Sequence, residues 1–212
     1  MFPLFVNLTD RLVLAVGGGP VGQRKAAAAL AAGARVRLVC LDPRPANETH
    51  SALDWRTEPY AAGHLDGAFL AFAAGPAEVN ARLVADARER GVWVNSASDP
   101  KTGDFMLPAV FRRGDVVVAV GTGGAAPALA REIRRRLEEQ FDDDFGRWAA
   151  LLAELRPLVL QAVSDADRRR LLFARWAQWI WLQRLRRDGV DAVRQEWLRQ
   201  LGQASEEPPR PL

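Results

Sequence analysis

The chain has 212 residues, 49% hydrophobic and 26% charged, with a formal net charge of +3. That length suits one well-buried α/β domain plus a smaller helical piece, and no uncharged apolar run reaches the roughly 18 residues that a membrane-spanning helix needs. The start, MFPLFVNLTDR, has no basic n-region or small-residue cleavage site, so no signal peptide is expected; the single cysteine, Cys40, excludes an internal disulfide and a Cys-rich zinc site, reads as a small buried residue and makes a reducing cytoplasm the default location.

In chain order, the first feature is an apolar strand at residues 12–16 that stops at three glycines and resumes as a helix over 21–32. Gly17, Gly19 and Gly22 fit G-x-G-x-x-G between strand and helix. In that setting the glycines permit a tight turn, a close approach of backbone to a pyrophosphate and close helix packing, so a dinucleotide is expected over the turn. Further strands are expected at 36–40, 69–73, 92–94 and 116–120, with a short one around Trp55 in the polar stretch 43–58. Helices closed by Gly33 and Gly91 lie between them. Strands alternating with helices imply crossovers and a parallel sheet, so the fold class is α/β, a Rossmann-like domain over about residues 1–120.

Gly114-Asp115 reads as a turn. After residue 120, GTGGAAPALAREIRRRLEEQF is a second glycine-rich turn leading into a helix with Pro127 in its first turn. The N–H groups of Gly123 and Gly124 are candidates for holding an anion, ordinary helix entry being the competing reading. From Phe145 onward the patterns are amphipathic, with Trp148, Leu151, Leu152 and Leu155, then Leu171, Leu172, Trp176, Trp179 and Ile180, giving a helical C-terminal domain. Its tryptophans (148, 176, 179, 181 and 197) read as core or subunit interface. Arginines concentrate at 131–136 and 168–187, at helical spacing. They read as solvated helix faces rather than a nucleic-acid surface, the competing reading being a polyanionic small ligand. His50 and His64 read as exposed loop residues, not metal ligands.

Three segments in register carry a family resemblance: the GGG-x-V-x-x-RK turn with Gly33-Ala34; Val94-Asn95-Ser96-Ala97-Ser98-Asp99-Pro100 followed by Asp104-Phe105-Met106-Leu107-Pro108-Ala109; and VVVAVGTGGAAPALAREIRRRLE. Over about residues 1–160 the chain resembles the precorrin-2 dehydrogenase family, the N-terminal module of sirohaem synthases. The resemblance implies NAD as cofactor and a reduced tetrapyrrole with eight carboxylates, precorrin-2, as substrate, oxidised to sirohydrochlorin. It also implies a homodimer formed through the segment after the Rossmann domain and an active site in the cleft between the two parts, with iron insertion in some members. The domains are then expected at 1–112 (NAD binding), 113–145 (dimerisation), 146–204 (helical) and 205–212 (disordered tail).

Carried over residue by residue, Pro20 and Val21 match cofactor contacts in the turn, and Leu41 and Asp42 match those on the adenosine side. Asp42 follows Gly17 by 25 residues, somewhat beyond the usual spacing of about 20, and its competing reading is a loop carboxylate. Asn95 and Pro108 match structural or pocket residues. Thr122 matches a serine in the dimer-side turn, where a hydroxyl can meet a substrate carboxylate, and Arg131 with Arg134 to Arg136 follows that turn. The chain departs from the family at its acid. In V-N-x-x-D-D-P the first aspartate is the one assigned to catalysis, and here it is Ser98, with Asp99 next; these two are the candidate catalytic residues, and either Asp99 serves as the general base or the base is dispensable. The Thr-Asp that usually follows the fourth strand is replaced by Ala74-Gly75. Dehydrogenation without iron insertion is therefore expected, with a non-catalytic tetrapyrrole or NAD binding protein, or a regulatory partner, as the alternative.

Overall fold

A computed structural model describes residues 2–206. The chain divides between Leu107 and Pro108 into two compact units.

In the first unit β1 (Leu12–Val16), β2 (Arg35–Cys40), β3 (Leu53–Thr57), β4 (Ala68–Ala73) and β5 (Trp93–Ser96) form one parallel sheet in the order β3-β2-β1-β4-β5. Alternate residues of β1 feed two cores. Val13 and Ala15 join Ala26 and Ala29 of α1 (Pro20–Ala31), whereas Leu14 and Val16 join Leu83, Val84 and Ala87 of α2 (Ala77–Glu89). Both faces are covered, which is why the strands read as continuous apolar runs. The order reverses between β1 and β4, and in such sheets ligands bind at the carboxyl ends of the strands around that point. The fold is Rossmann-like α/β, as expected.

The strand at Val116–Val120 does not extend this sheet. It is β7 and pairs antiparallel with β6 (Ala109–Arg113), a strand the sequence reading missed, Arg113 facing Val116 across Gly114-Asp115. Gly114 has φ of 56°, and a two-residue loop with positive φ is what joins antiparallel neighbours. Gly114-Asp115 marks the turn in the sequence, and the structure shows that it closes a two-stranded hairpin outside the parallel sheet.

The hairpin leads into α3 (Pro127–Gln140), then α4 (Asp143–Ala162), α5 (Ala166–Trp176), α6 (Trp179–Asp188) and α7 (Val190–Glu206). Trp148, Trp176, Trp181 and Trp197 are buried in one core with Leu151, Leu155 and Leu182. Trp176 and Trp197 stack with centroids 4.8 Å apart and planes within 3°. The apolar stripe expected from Leu171 to Ile180 is broken where α5 ends, and Leu171, Trp179 and Ile180 are exposed. Helix α7 runs two residues into the expected tail, the rest of which lies outside the described residues.

Candidate functional site

The glycine turn sits at the carboxyl end of β1. Gly17 has φ of 117°, and a Cβ there would stand 2.3 Å from Ala74 O; a Cβ on Gly22 would stand 1.9 Å from Gly17 O. These two glycines are required by the fold, one for the turn and one for packing the helix on it. At Gly19 the backbone is ordinary, with φ of −72° and ψ of 175°, and a Cβ would meet nothing within 4 Å. That open side faces the start of α1, which has Pro20 at its first position, no side-chain cap and no acidic residue in its first turn. Its free N–H groups and positive dipole end suit a phosphate. Val21 is exposed beside them.

Asp42 follows β2 and approaches the same turn. Its Oδ2 lies 2.9 Å from where a Cβ on Gly18 would be. Its carbonyl accepts from Trp55 Nε1 at 3.0 Å and Thr57 Oγ1 at 3.3 Å, which fixes the backbone that carries the carboxylate. Leu41 beside it is exposed. The structure thus gathers Gly17, Gly19, Pro20, Val21, Gly22, Leu41 and Asp42 in one place. It also fits a dinucleotide in kind: an open glycine, free helix N–H groups, and a carboxylate on the adjacent strand end.

Across β4 a second polar group forms. Asn80, 2% exposed, accepts from Gly75 N at 2.9 Å and donates to Gly75 O at 2.8 Å and to Ser98 Oγ at 3.1 Å. Ala74 and Gly75 are the residues against which Gly17 packs, so Asn80 ties the glycine turn to the loop after β5. Buried Asn95 donates to Phe105 O at 2.8 Å and accepts from Lys25 Nζ. Lys25 lies over the Phe72 ring, and burial, then neighbouring Arg24, pulls its pKa below the usual lysine value. Asp99 is exposed and its Oδ1 accepts from Lys101 N at 3.0 Å, capping a single 3-10 turn (Pro100–Thr102).

Lys25, Ser96 and Asn80 were not singled out as site residues from the sequence. For Asn80 a signal existed: with Leu83, Val84 and Ala87 it completes an i, i+3, i+4, i+7 stripe, a polar residue where the pattern calls for an apolar one.

In the second unit Thr122, Gly123 and Gly124 form the entry to α3. Thr122 Oγ1 accepts from Ala126 N at 3.3 Å, and both glycines have positive φ. Of the arginines that follow, Arg134 pairs with Glu138, Arg135 with Glu132 and Glu139, and Arg136 with Glu132. They are a solvated, paired helix face. Arg131 is exposed and has no ion pair among the described residues. His50 is exposed in a loop, as expected, its Nδ1 accepting from Ala52 N, whereas His64 lies in a 3-10 turn (Ala62–Leu65) with its ring mostly covered, Nδ1 accepting from Ala61 N and Nε2 lying 3.0 Å from Glu58 Oε1. Among the described residues no group of three His, Cys, Asp or Glu could hold a metal, and no helix is long and apolar enough to cross a membrane.

Residues 4–109 match a sequence family described as "Putative NAD(P)-binding", half of the chain and the whole span of the glycine turn and its sheet. The chain belongs to that family. Residues 113–140 of this NAD(P)-binding chain match a second, described as "Sirohaem biosynthesis protein central". Siroheme synthase 1 of Aeromonas salmonicida is 37% identical over 177 residues, 82% of this chain and 38% of that protein. Siroheme synthase of Chromobacterium violaceum is 40% identical over 173 residues, covering 80% and 37%. The chain therefore spans less than two fifths of the length of these curated relatives. The solved structure of SirC, a precorrin-2 dehydrogenase, has the same fold, with a TM-score of 0.76 over 96% of this chain and all of that one, at 23% identity.

Proposed function

We propose that this chain oxidises precorrin-2 to sirohydrochlorin with NAD, in sirohaem biosynthesis, as a cytoplasmic homodimer. The observation that carries the reading is the coupling of the open glycine turn through Asn80 to the loop bearing Ser98, in a chain whose next segment matches sirohaem biosynthesis proteins. Bound NAD supplies a hydride acceptor. The chain would bind and orient it: the N–H groups of Gly19, Val21 and Gly22 would hold the pyrophosphate, Leu41 would pack on the adenosine side, and Asp42 would accept from the ribose hydroxyls. A carboxylate there repels a 2′-phosphate, which favours NAD over NADP. Thr122, Gly123, Gly124 and Arg131 are assigned to the substrate, an arginine fork and free N–H groups suiting its carboxylates, whereas Asn95, buried and bonded at both ends of its amide, is the structural residue of its two readings.

Hydride transfer depends chiefly on holding two rings in register, so it tolerates the absence of the family's acid at Ser98. Iron insertion gains more from a carboxylate that takes pyrrole protons, and it is not assigned to this chain. Asp99 does not replace the acid in this reading, because its carboxylate caps the 3-10 turn. The same observation favours the second reading, a non-catalytic tetrapyrrole or NAD binding protein. Anaerobic incubation with precorrin-2 and NAD, followed at the NADH absorbance, separates them: NADH formation is expected, and its absence together with retained NAD binding would leave the binder. NADP titrated against NAD tests Asp42, with Asp42→Asn expected to narrow the preference.

A further inference from the structure

Asn80 fixes the polarity of the site. Its amide is oriented by two backbone bonds of opposite sense, Oδ1 accepting from Gly75 N and Nδ2 donating to Gly75 O, so the remaining Nδ2 proton points to Ser98 Oγ. Ser96 Oγ accepts from Asp99 N at 3.2 Å and lies 3.4 Å from Ser98 Oγ. Ser96 is buried and its oxygen is already taken by Asp99 N, so it is a poor acceptor for the Ser98 proton. With Asn80 Nδ2 donating to it and the Ser96 oxygen 3.4 Å away, beyond the usual O–H···O length, the Ser98 oxygen keeps its own proton for a partner outside the protein. Ser98 is exposed, just past the carboxyl end of β5 and on the same edge of the parallel sheet as the glycine turn. A carboxylate at this position would offer only acceptors; this hydroxyl offers a donor.

We propose that Ser98 donates a hydrogen bond to a carboxylate oxygen of the bound tetrapyrrole, and that Asn80 is the positioning residue that turns the hydroxyl outward. Only the identity of the ligand rests on the function proposed above. Ser98→Ala is expected to raise both KM for precorrin-2 and Kd for sirohydrochlorin about 10-fold, the scale of one hydrogen bond to a charged group. The loss should fall on KM more than on kcat, with NAD affinity unaltered. Ser98→Thr keeps the hydroxyl and should restore both values. Asn80→Asp replaces the inward donor by an acceptor, so Ser98 turns its proton inward and the same rise should appear with Ser98 still present.

Wild-type Kd and KM in Ser98→Ala would overturn the proposal, as would a folded Asn80→Asp with wild-type Kd. A weakened NAD affinity in Ser98→Ala with normal sirohydrochlorin binding would also overturn it, by placing the acceptor on the cofactor. If Asn80→Asp fails to fold, the Ser98→Ala and Ser98→Thr pair still decides. Calorimetric Kd needs no turnover: a wild-type protein that forms no NADH but loses sirohydrochlorin affinity in Ser98→Ala would refute the dehydrogenase and support the donor.

Discussion

Gly19 and Gly22 are three residues apart in one motif, yet substitution should affect them differently. A side chain at Gly19 enters open space in the protein, where the proposed cofactor would lie, so Gly19→Val is expected to lose NAD binding by about 100-fold or more, on the scale of excluding a close phosphate contact, while melting within a few degrees of wild type. Calorimetry and a thermal melt read the two effects. Gly22→Ala places a methyl 1.9 Å from Gly17 O, and the turn must move to admit it. A drop in Tm is expected there, with NAD affinity falling as a consequence. At the acid position, Asp99→Asn should change turnover by no more than about 2-fold, far from the loss of 100-fold or more typical of a general base, because an amide oxygen can still cap Lys101 N. Ser98→Asp exchanges a donor for an acceptor and should raise KM while gaining iron insertion, measured by sirohaem absorbance.

Helix α3 shows how an arginine run divides by partner. Replacing Arg134, Arg135 and Arg136 together by Gln removes intrahelical pairs and should leave the salt dependence of KM as it was. Arg131→Gln should raise KM and flatten that dependence, since an unpaired cation attracts a polyanion at long range. Two of these arginines, 135 and then 136, hold the exposed Glu132 carboxyl at a pKa of about 2, below its usual 4.5. A depressed carboxylate pKa contributes stability that is present above the unfolded value and is lost as pH falls toward the folded one, so this contribution should fade between those two values and shrink with added salt. In the C-terminal helices the weight lies elsewhere. Trp197 stacks on Trp176 and meets Trp181 edge-on at 5.5 Å. Trp197→Ala is expected to cost about 3–5 kcal/mol in a urea titration.

For the molecule as a whole, α3 and the hairpin leave apolar side chains uncovered in one copy. Leu129 is 54% exposed, Val110 38% and Ile133 36%, whereas Ala130 is the buried residue of the helix. A second copy is the occupant that the proposed homodimer supplies. Light scattering should give a dimer at micromolar concentration, and Leu129→Glu with Ile133→Glu should give a folded monomer. A wild-type monomer would count against the dimer.

Periodicity and punctuation were enough to read the parallel sheet, its crossover helices and the glycine turn, because each depends on residues close in sequence: apolar runs, Gly33 and Gly91 after the helices, and a G-x-G-x-x-G whose spacing is set by one turn. The Trp-rich helices were legible as helices for the same reason. What depended on tertiary structure is which residue meets which. The strand that Val116–Val120 pairs with is Ala109–Arg113 rather than one of the parallel sheet, and the Leu171 to Ile180 stripe breaks at the end of α5, whereas the pairing of Arg134 to Arg136 is set locally by glutamates three and four residues away. The same holds for Ser98 and Asp99, adjacent in sequence. Side chains of neighbouring residues point apart and find different partners, so one hydroxyl meets Asn80 of α2 and one carboxylate caps its own turn. A motif lists the residues, but only long-range hydrogen bonds decide which of them is left with a proton to give.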